Sequence, residues 1–116
     1  MFRALLLGWV LAQVAAGEIT GIVKDGAGGA VPGATITVTD VATNRQRVIV
    51  SSRDGIYTAP SLPPGEYRVY SWEEAEFGAW MDPDFMKPQE SRGEAVSIQE
   101  GARQAVQVNL IPADSQ

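Results

Sequence analysis

Histidine and cysteine are both absent from the 116 residues, and their absence excludes more chemistry than any residue present adds. Without imidazole there is no base for a serine or cysteine triad. Without thiolate or imidazole the usual zinc ligands are gone, and neither a disulfide nor a thiol nucleophile can form. Cations are also scarce: nine Lys and Arg stand against fourteen Asp and Glu, a formal net charge of −5. That balance argues against nucleic acid and against an anionic membrane surface as partners. No apolar run is long enough to span a bilayer. Asp25–Gly29 (DGAGG) is glycine-rich but has neither GxGxxG nor P-loop spacing, and no helical pattern follows it, so phosphate cradling has no support. What remains is a composition ordinary for a globular chain, with 45% hydrophobic and 20% charged residues, and a length that allows one domain. No catalytic residue, no metal ligand set and no cofactor is expected: the chain does not read as an enzyme.

The first seventeen residues read as a targeting segment. Arg3 supplies a positive start, Ala4–Ala12 (ALLLGWVLA) a short apolar run, and Val14, Ala16 and Gly17 a small-residue cleavage region. Residues 1–17 are therefore expected to be a signal peptide removed after Ala16 or Gly17. The product would be exported to the periplasm, the cell surface or the medium. No cysteine follows the apolar run to carry a lipid, so no stable membrane anchor is expected after cleavage.

From residue 18 to 112 the pattern is one of short strands with Gly and Pro punctuation. Arg53–Tyr70 (RDGIYTAPSLPPGEYRVY) organises it: Asp54-Gly55 is a turn pair, and Pro63-Pro64-Gly65 is a forced corner with positive φ expected at Gly65. Tyr67 and Val69 then alternate with Arg68 and Tyr70, the period of a half-buried strand. Before this stretch, Glu18–Lys24, Ala34–Thr39 and Gln46–Ser51 show the same period, and Gly21 in the first of them suggests close approach by a facing side chain. After it, Ala95–Gln99 and Ala105–Ile111 complete seven strands, and residues 113–116 form a polar tail. Short alternating strands without an amphipathic helix predict an all-β, seven-stranded antiparallel β-sandwich with Greek-key, immunoglobulin-like topology.

The series ITGIVKDGAGGAVPGATITV followed by SSRDGIYTAPSLPPGEYRVYSW resembles the carboxypeptidase regulatory-like domain. The resemblance covers Glu18 to about Trp72 closely and the last two strands loosely. It implies a transthyretin-like sandwich that serves as an accessory module in exported proteins and has no catalytic residues of its own. A non-enzymatic, exported module of the cell envelope is the implied function, with an envelope protein or a glycan as partner.

Trp72–Gly93 departs from the plain pattern, since about twenty residues between neighbouring strands is an excursion that needs a reason. Asp82-Pro83-Asp84 reads as a helix start, Asp capping and Pro at the first position, with about one turn before Pro88. Five acids surround the rings of this loop. If the rings face solvent, Tyr70, Trp72, Phe77, Trp80 and Phe85 form a candidate binding surface, on which a carbohydrate-binding module could stack a sugar. Trp80, beside Gly78-Ala79, is the ring expected at an exposed tip. Alternatively, the loop folds back over Tyr70 and Trp72 and buries its rings in a satellite cluster. Strand parity puts Tyr70 and Trp72 on the outer face either way. Lys24 and Asn109 could be imagined joined by an isopeptide bond, but both lie off the inward parity that such a bond requires.

Overall fold

The computed structural model describes residues 15–73, 79–113 and 116. The expected signal segment falls outside the described residues up to Val14, as do Phe77 and the acids Glu74 and Glu76. Eight strands run β1 (Gly17–Lys24), β2 (Thr35–Asp40), β3 (Gln46–Val50), β4 (Ile56–Leu62), β5 (Gly65–Trp72), β6 (Glu94–Ile98), β7 (Arg103–Ala105) and β8 (Val108–Ile111). Between β5 and β6 lie a 3-10 turn at Ala79–Met81, the short helix α1 (Pro83–Met86) and a 3-10 segment at Lys87–Arg92. No helix among the described residues is long and apolar enough to cross a membrane.

The strands are ordered β3-β2-β5-β8-β1-β4, with β6 added to β5 and β7 to β1. This curls into a β-sandwich whose two layers meet at β8. Its first half pairs with β1 (Val23↔Val108) and its second half with β5 (Trp72↔Ile111). The free ends of the curl approach each other, and the Arg47 guanidinium of β3 donates to the carbonyls of Pro60 and Ser61 on β4. Between the layers sit Ile19, Val23, Ile36, Val38, Tyr57, Val69 and Val108, each at most 2% exposed. Alternating apolar residues, many of them β-branched, put one face of most of the strands here, as period-2 patterning requires.

The expected seven antiparallel strands in a Greek key are not what the strand order shows. The stretch expected as one strand from Ala105 to Ile111 begins earlier and is broken into β7 and β8. Both lie parallel to β1, in one unbroken register, and β8 is also parallel to β5. The break has a local cause. The main chain of Val106 turns in over Gly21, its N–H donating to the Thr20 carbonyl and its carbonyl accepting from the Tyr57 hydroxyl. A side chain at Gly21 would occupy that carbonyl's place.

The turns follow their residues. Gly55 has φ +78° and Gly65 φ +157°, both positive as the turn chemistry predicts. Tyr67 closes the corner, its hydroxyl donating to the Pro63 carbonyl.

Burial pushes the Tyr57 hydroxyl far above the ordinary tyrosine range, with the charge of Glu94 adding to the effect. Tyr67 and Tyr70 are also raised, chiefly by burial. A raised folded-state value favours the neutral phenol, so this contribution is whole below about pH 10, the unfolded tyrosine value. Above that it is lost, because the unfolded chain releases its protons first. The urea midpoint is therefore expected to fall as pH rises from about 9 to about 11, and to fall less in Tyr57→Phe. A midpoint flat across that range would contradict the burial.

Candidate functional site

The outer face of β2 and β5 carries the site. With Tyr67 and Val69 turned into the core, Tyr70 and Trp72 point outward, as parity predicts. Their rings stack 5.5 Å apart with planes 14° from parallel. Trp72 Nε1 donates to Thr37 Oγ1 at 3.1 Å, which satisfies an indole N–H that is otherwise out of reach of water.

Residues 79–93 of the β5–β6 connection fold over this pair as a lid. Asp82 caps α1 by accepting from the Asp84 N–H at 2.9 Å, with Pro83 at the first turn, as the sequence predicts. α1 stops at Met86, the one turn expected before Pro88, and Pro88 itself sits in the first turn of a 3-10 segment that continues to Arg92. Gly93 then brings the chain so close to the Tyr70 ring that a Cβ there would lie 2.7 Å from its Cζ. Gly93→Ala is expected to cost about 1–3 kcal/mol by wedging the lid off that ring. A lower urea midpoint together with red-shifted tryptophan fluorescence checks it.

Tyr70, Trp72 and Trp80 are thus interior residues, at 3%, 1% and 5% exposure, clustered with Ile111 and with the half-buried Phe85 and Met86. The exposed tip expected at Trp80 is not found. The 3-10 turn directs its ring onto the sheet, and its carbonyl is held there by Gln46 Nε2 at 2.9 Å. Exposure falls instead on the next residue, Met81, at 73%. Of the five candidate rings, four are brought together or placed beside one another in this cluster, and Phe77 lies outside the described residues. Lys24 and Asn109 are register partners across β1 and β8, with Asn109 exposed, so the buried setting of an isopeptide bond is not met.

Beside the lid lies a cavity of about 400 Å³. Its floor is one row across three strands: Gln46 on β3 and Arg68 on β5 both register with Thr39 on β2. Tyr70, Trp80, Met81 and Met86 form the wall, while Asn44, Lys87 and Glu90 stand at the rim. The tight β2–β3 connection sets the far side. Asp40 Oδ1 accepts from the Ala42 N–H at 2.9 Å, and Asn44 takes up φ +59°, a conformation asparagine tolerates.

Two floor atoms are buried without a hydrogen-bond partner: Thr39 Oγ1 and Gln46 Oε1. With Gln46 Nε2 committed to the Trp80 carbonyl, Oε1 is left as an acceptor. Arg68 reaches the Glu90 main-chain carbonyl at 3.4 Å. Ser71 Oγ and Gln89 Oε1, away from the recess, are likewise buried without a partner, so such atoms are not peculiar to its floor. Sequence reasoning missed Thr39, Gln46 and Arg68. Each reads as an ordinary outward position of a strand, and only the register aligns them.

No group of three or more acidic residues among the described residues is placed to hold a metal ion. The profile of the carboxypeptidase regulatory-like domain matches residues 18–78, slightly over half of the chain. The chain belongs to this family. No curated protein matches it. The regulatory-like domain is similar in fold to the Bacillus anthracis TIE protein, at TM-score 0.57 and 18% identity over 82% of this chain and 16% of that one. It is similar as well to the major pilin SpaD of Corynebacterium diphtheriae, at TM-score 0.55 and 16% identity over 81% of this chain and 29% of that one. A third likeness is to a DUF3823 family protein of Parabacteroides merdae, at TM-score 0.52 and 17% identity over 84% of this chain and 46% of that one. The domain thus spans less than half the length of each solved chain. The shared feature is the mostly β, sandwich-like fold.

Proposed function

We propose that this carboxypeptidase regulatory-like domain is a non-enzymatic accessory module of the cell envelope, exported by its first residues and acting by binding an envelope protein or a glycan. The lid cavity is the observation that carries this reading. It offers a shaped recess lined by Asn44, Arg68, Lys87 and Glu90 beside apolar side chains, in a chain that has no histidine or cysteine for nucleophilic or metal chemistry. A net charge of −5 argues against nucleic acid as the partner. The recognition role expected of Tyr70 and Trp80 passes, in this proposal, to the cavity that these buried rings wall.

The start of β1 supports a particular mature end. Gly17 is the first residue of β1, is buried, and leaves no room for a side chain between Ile98 and the Ala102 carbonyl. Cleavage after Ala16 keeps this residue; cleavage after Gly17 removes it. Cell fractionation with intact-mass measurement is expected to find the protein outside the cytoplasm and beginning at Gly17. Cytoplasmic protein retaining Met1 would overturn export. Turnover of a peptide or glycoside by the purified protein would overturn the non-enzymatic reading.

A further inference from the structure

β3 ends the strand order, and among the described residues it pairs only with β2. On that side the bonded pairs alternate: Asp40 N–H donates to the Arg45 carbonyl at 2.8 Å, and Ser51 N–H to the Ala34 carbonyl at 2.9 Å. Counting in twos between them, Arg47 and Ile49 also turn their main-chain groups toward β2. Gln46, Val48 and Val50 therefore present theirs to the open edge. β4, at the other end of the order, offers no such template. Pro60 lacks an N–H, Ser61 is turned to φ +59°, and the carbonyls of both accept from Arg47.

The side chains of β3 alternate as well. Val48 and Val50 lie on the outer face, 45% and 63% exposed, while Ile49 packs on the core. Val41 and Met81, also exposed, line the recess beside Gln46. Four of the five exposed large apolar side chains among the described residues thus lie on or beside this one strand. Clustered rather than scattered exposure of this kind marks an interaction surface. Arg45 and Arg47 share the other parity. Residues 41–53 hold three arginines and no acid, in a chain of net charge −5. Among the described residues neither Arg45 nor Arg47 is joined to an acid in an ion pair.

Resting on the accessory-module reading, we propose that the open edge of β3 takes up an extended segment of a partner protein as an added strand, its apolar residues alternating with Asp or Glu. The main chain of that segment bonds to Gln46, Val48 and Val50, as strand addition requires. Residues paired across neighbouring strands share a face, so its apolar side chains fall beside Val48 and Val50. Its carboxylates fall on the side of Arg45 and Arg47. A second copy of this chain fits the edge less well, because its own β3 would bring the same arginines to one seam.

The test follows amide hydrogen exchange, residue by residue, in the 15N-labelled protein with an acetylated, amidated Glu-Val-Glu-Val-Glu-Val-Glu peptide. Two comparison peptides carry Lys in place of Glu, or the acidic composition grouped as Glu-Glu-Glu-Glu-Val-Val-Val. At about ten times its Kd, the alternating acidic peptide is expected to slow exchange about tenfold at Gln46, Val48 and Val50. Arg47 and Ile49, already bonded to β2, are expected to stay as they are. Val48→Pro deletes the central edge donor and is expected to abolish the effect. Arg45→Glu, at an exposed position, is expected to weaken the peptide about fivefold with the melting temperature unchanged, which keeps the test independent of how the proline variant folds. Equal binding of either comparison peptide, or unaltered affinity in Arg45→Glu, would overturn the alternating acidic partner. Slowed exchange confined to the lid, at Lys87 and Glu90, would overturn strand addition while leaving the recess as the module's site. Edge amides that exchange more slowly as the peptide-free protein is concentrated would assign β3 to a second copy and overturn it too. Silence toward every peptide would overturn strand addition and leave the accessory-module reading to its own tests of export and turnover.

Discussion

Trp72→Ala is expected to cost about 3–5 kcal/mol of stability, a large share of what a domain of this size possesses. The side chain is 1% exposed, stacks on Tyr70 and contacts the tilted ring of Phe85, with centroids 5.4 Å apart. Removing it empties the centre of the satellite cluster over a floor fixed by the pairing of β5 with β2 and β8. The change also leaves Thr37 Oγ1, itself fully buried, without the indole N–H that now reaches it. Trp72→Phe separates the two losses: it keeps an aromatic ring and deletes the donor, with an expected cost nearer 1–3 kcal/mol. Urea melts of both variants check this. A cost below about 1 kcal/mol for Trp72→Ala would mean that the lid is not packed on the sheet.

The second large effect comes from the smallest residue. Gly21→Ala is expected to cost about 3 kcal/mol, because the added Cβ would fall inside the Val106 carbonyl, 2.7 Å from its carbon, and 2.9 Å from the Tyr57 hydroxyl oxygen. A flexible side chain could step aside, but a main-chain carbonyl cannot move without its neighbours. The hydrogen bonds from Val106 N–H to Thr20 and from Tyr57 to Val106 would be stretched with it. The strain falls where β7 passes into β8, the joint that links the two layers. A lowered urea midpoint, with a tyrosine titration moved back toward the ordinary range, is the expected pair of observations. An unchanged midpoint would show that the Val106 main chain does not approach Gly21.

Both effects trace to features that differ in how far they could be read from residues alone. Gly21 in an otherwise apolar strand face signals a close approach, but the approaching group is the main-chain carbonyl of Val106, 85 residues further on, and not the facing side chain expected. The Asp82 cap with Pro83 is a local signal, written within three residues, and it appears where expected. The single α-helical turn stops before Pro88 as expected, and helical structure goes on only as 3-10, since a proline that cannot continue an α-helix interior is tolerated in the first turn of a following 3-10 segment.

What the sequence by itself determined is local or periodic. Gly and Pro set the corners because their φ preferences act within a turn, and alternation set the faces because successive strand side chains must point to opposite sides. Hence Tyr67 and Val69 inside, Tyr70 and Trp72 outside, and the family resemblance, were all legible. Strand partners and their direction were decided only in three dimensions. A period of two is the same for parallel and antiparallel neighbours, so nothing in Arg103–Ile111 announces that it runs parallel to both β1 and β5. The fate of Trp80 and Phe85 was decided there too, because ring exposure depends on where residues 79–93 land, and they land on Tyr70 and Trp72. The row of Gln46, Thr39 and Arg68 belongs to the same class: three unremarkable outward residues become one polar floor only when register brings β3, β2 and β5 side by side.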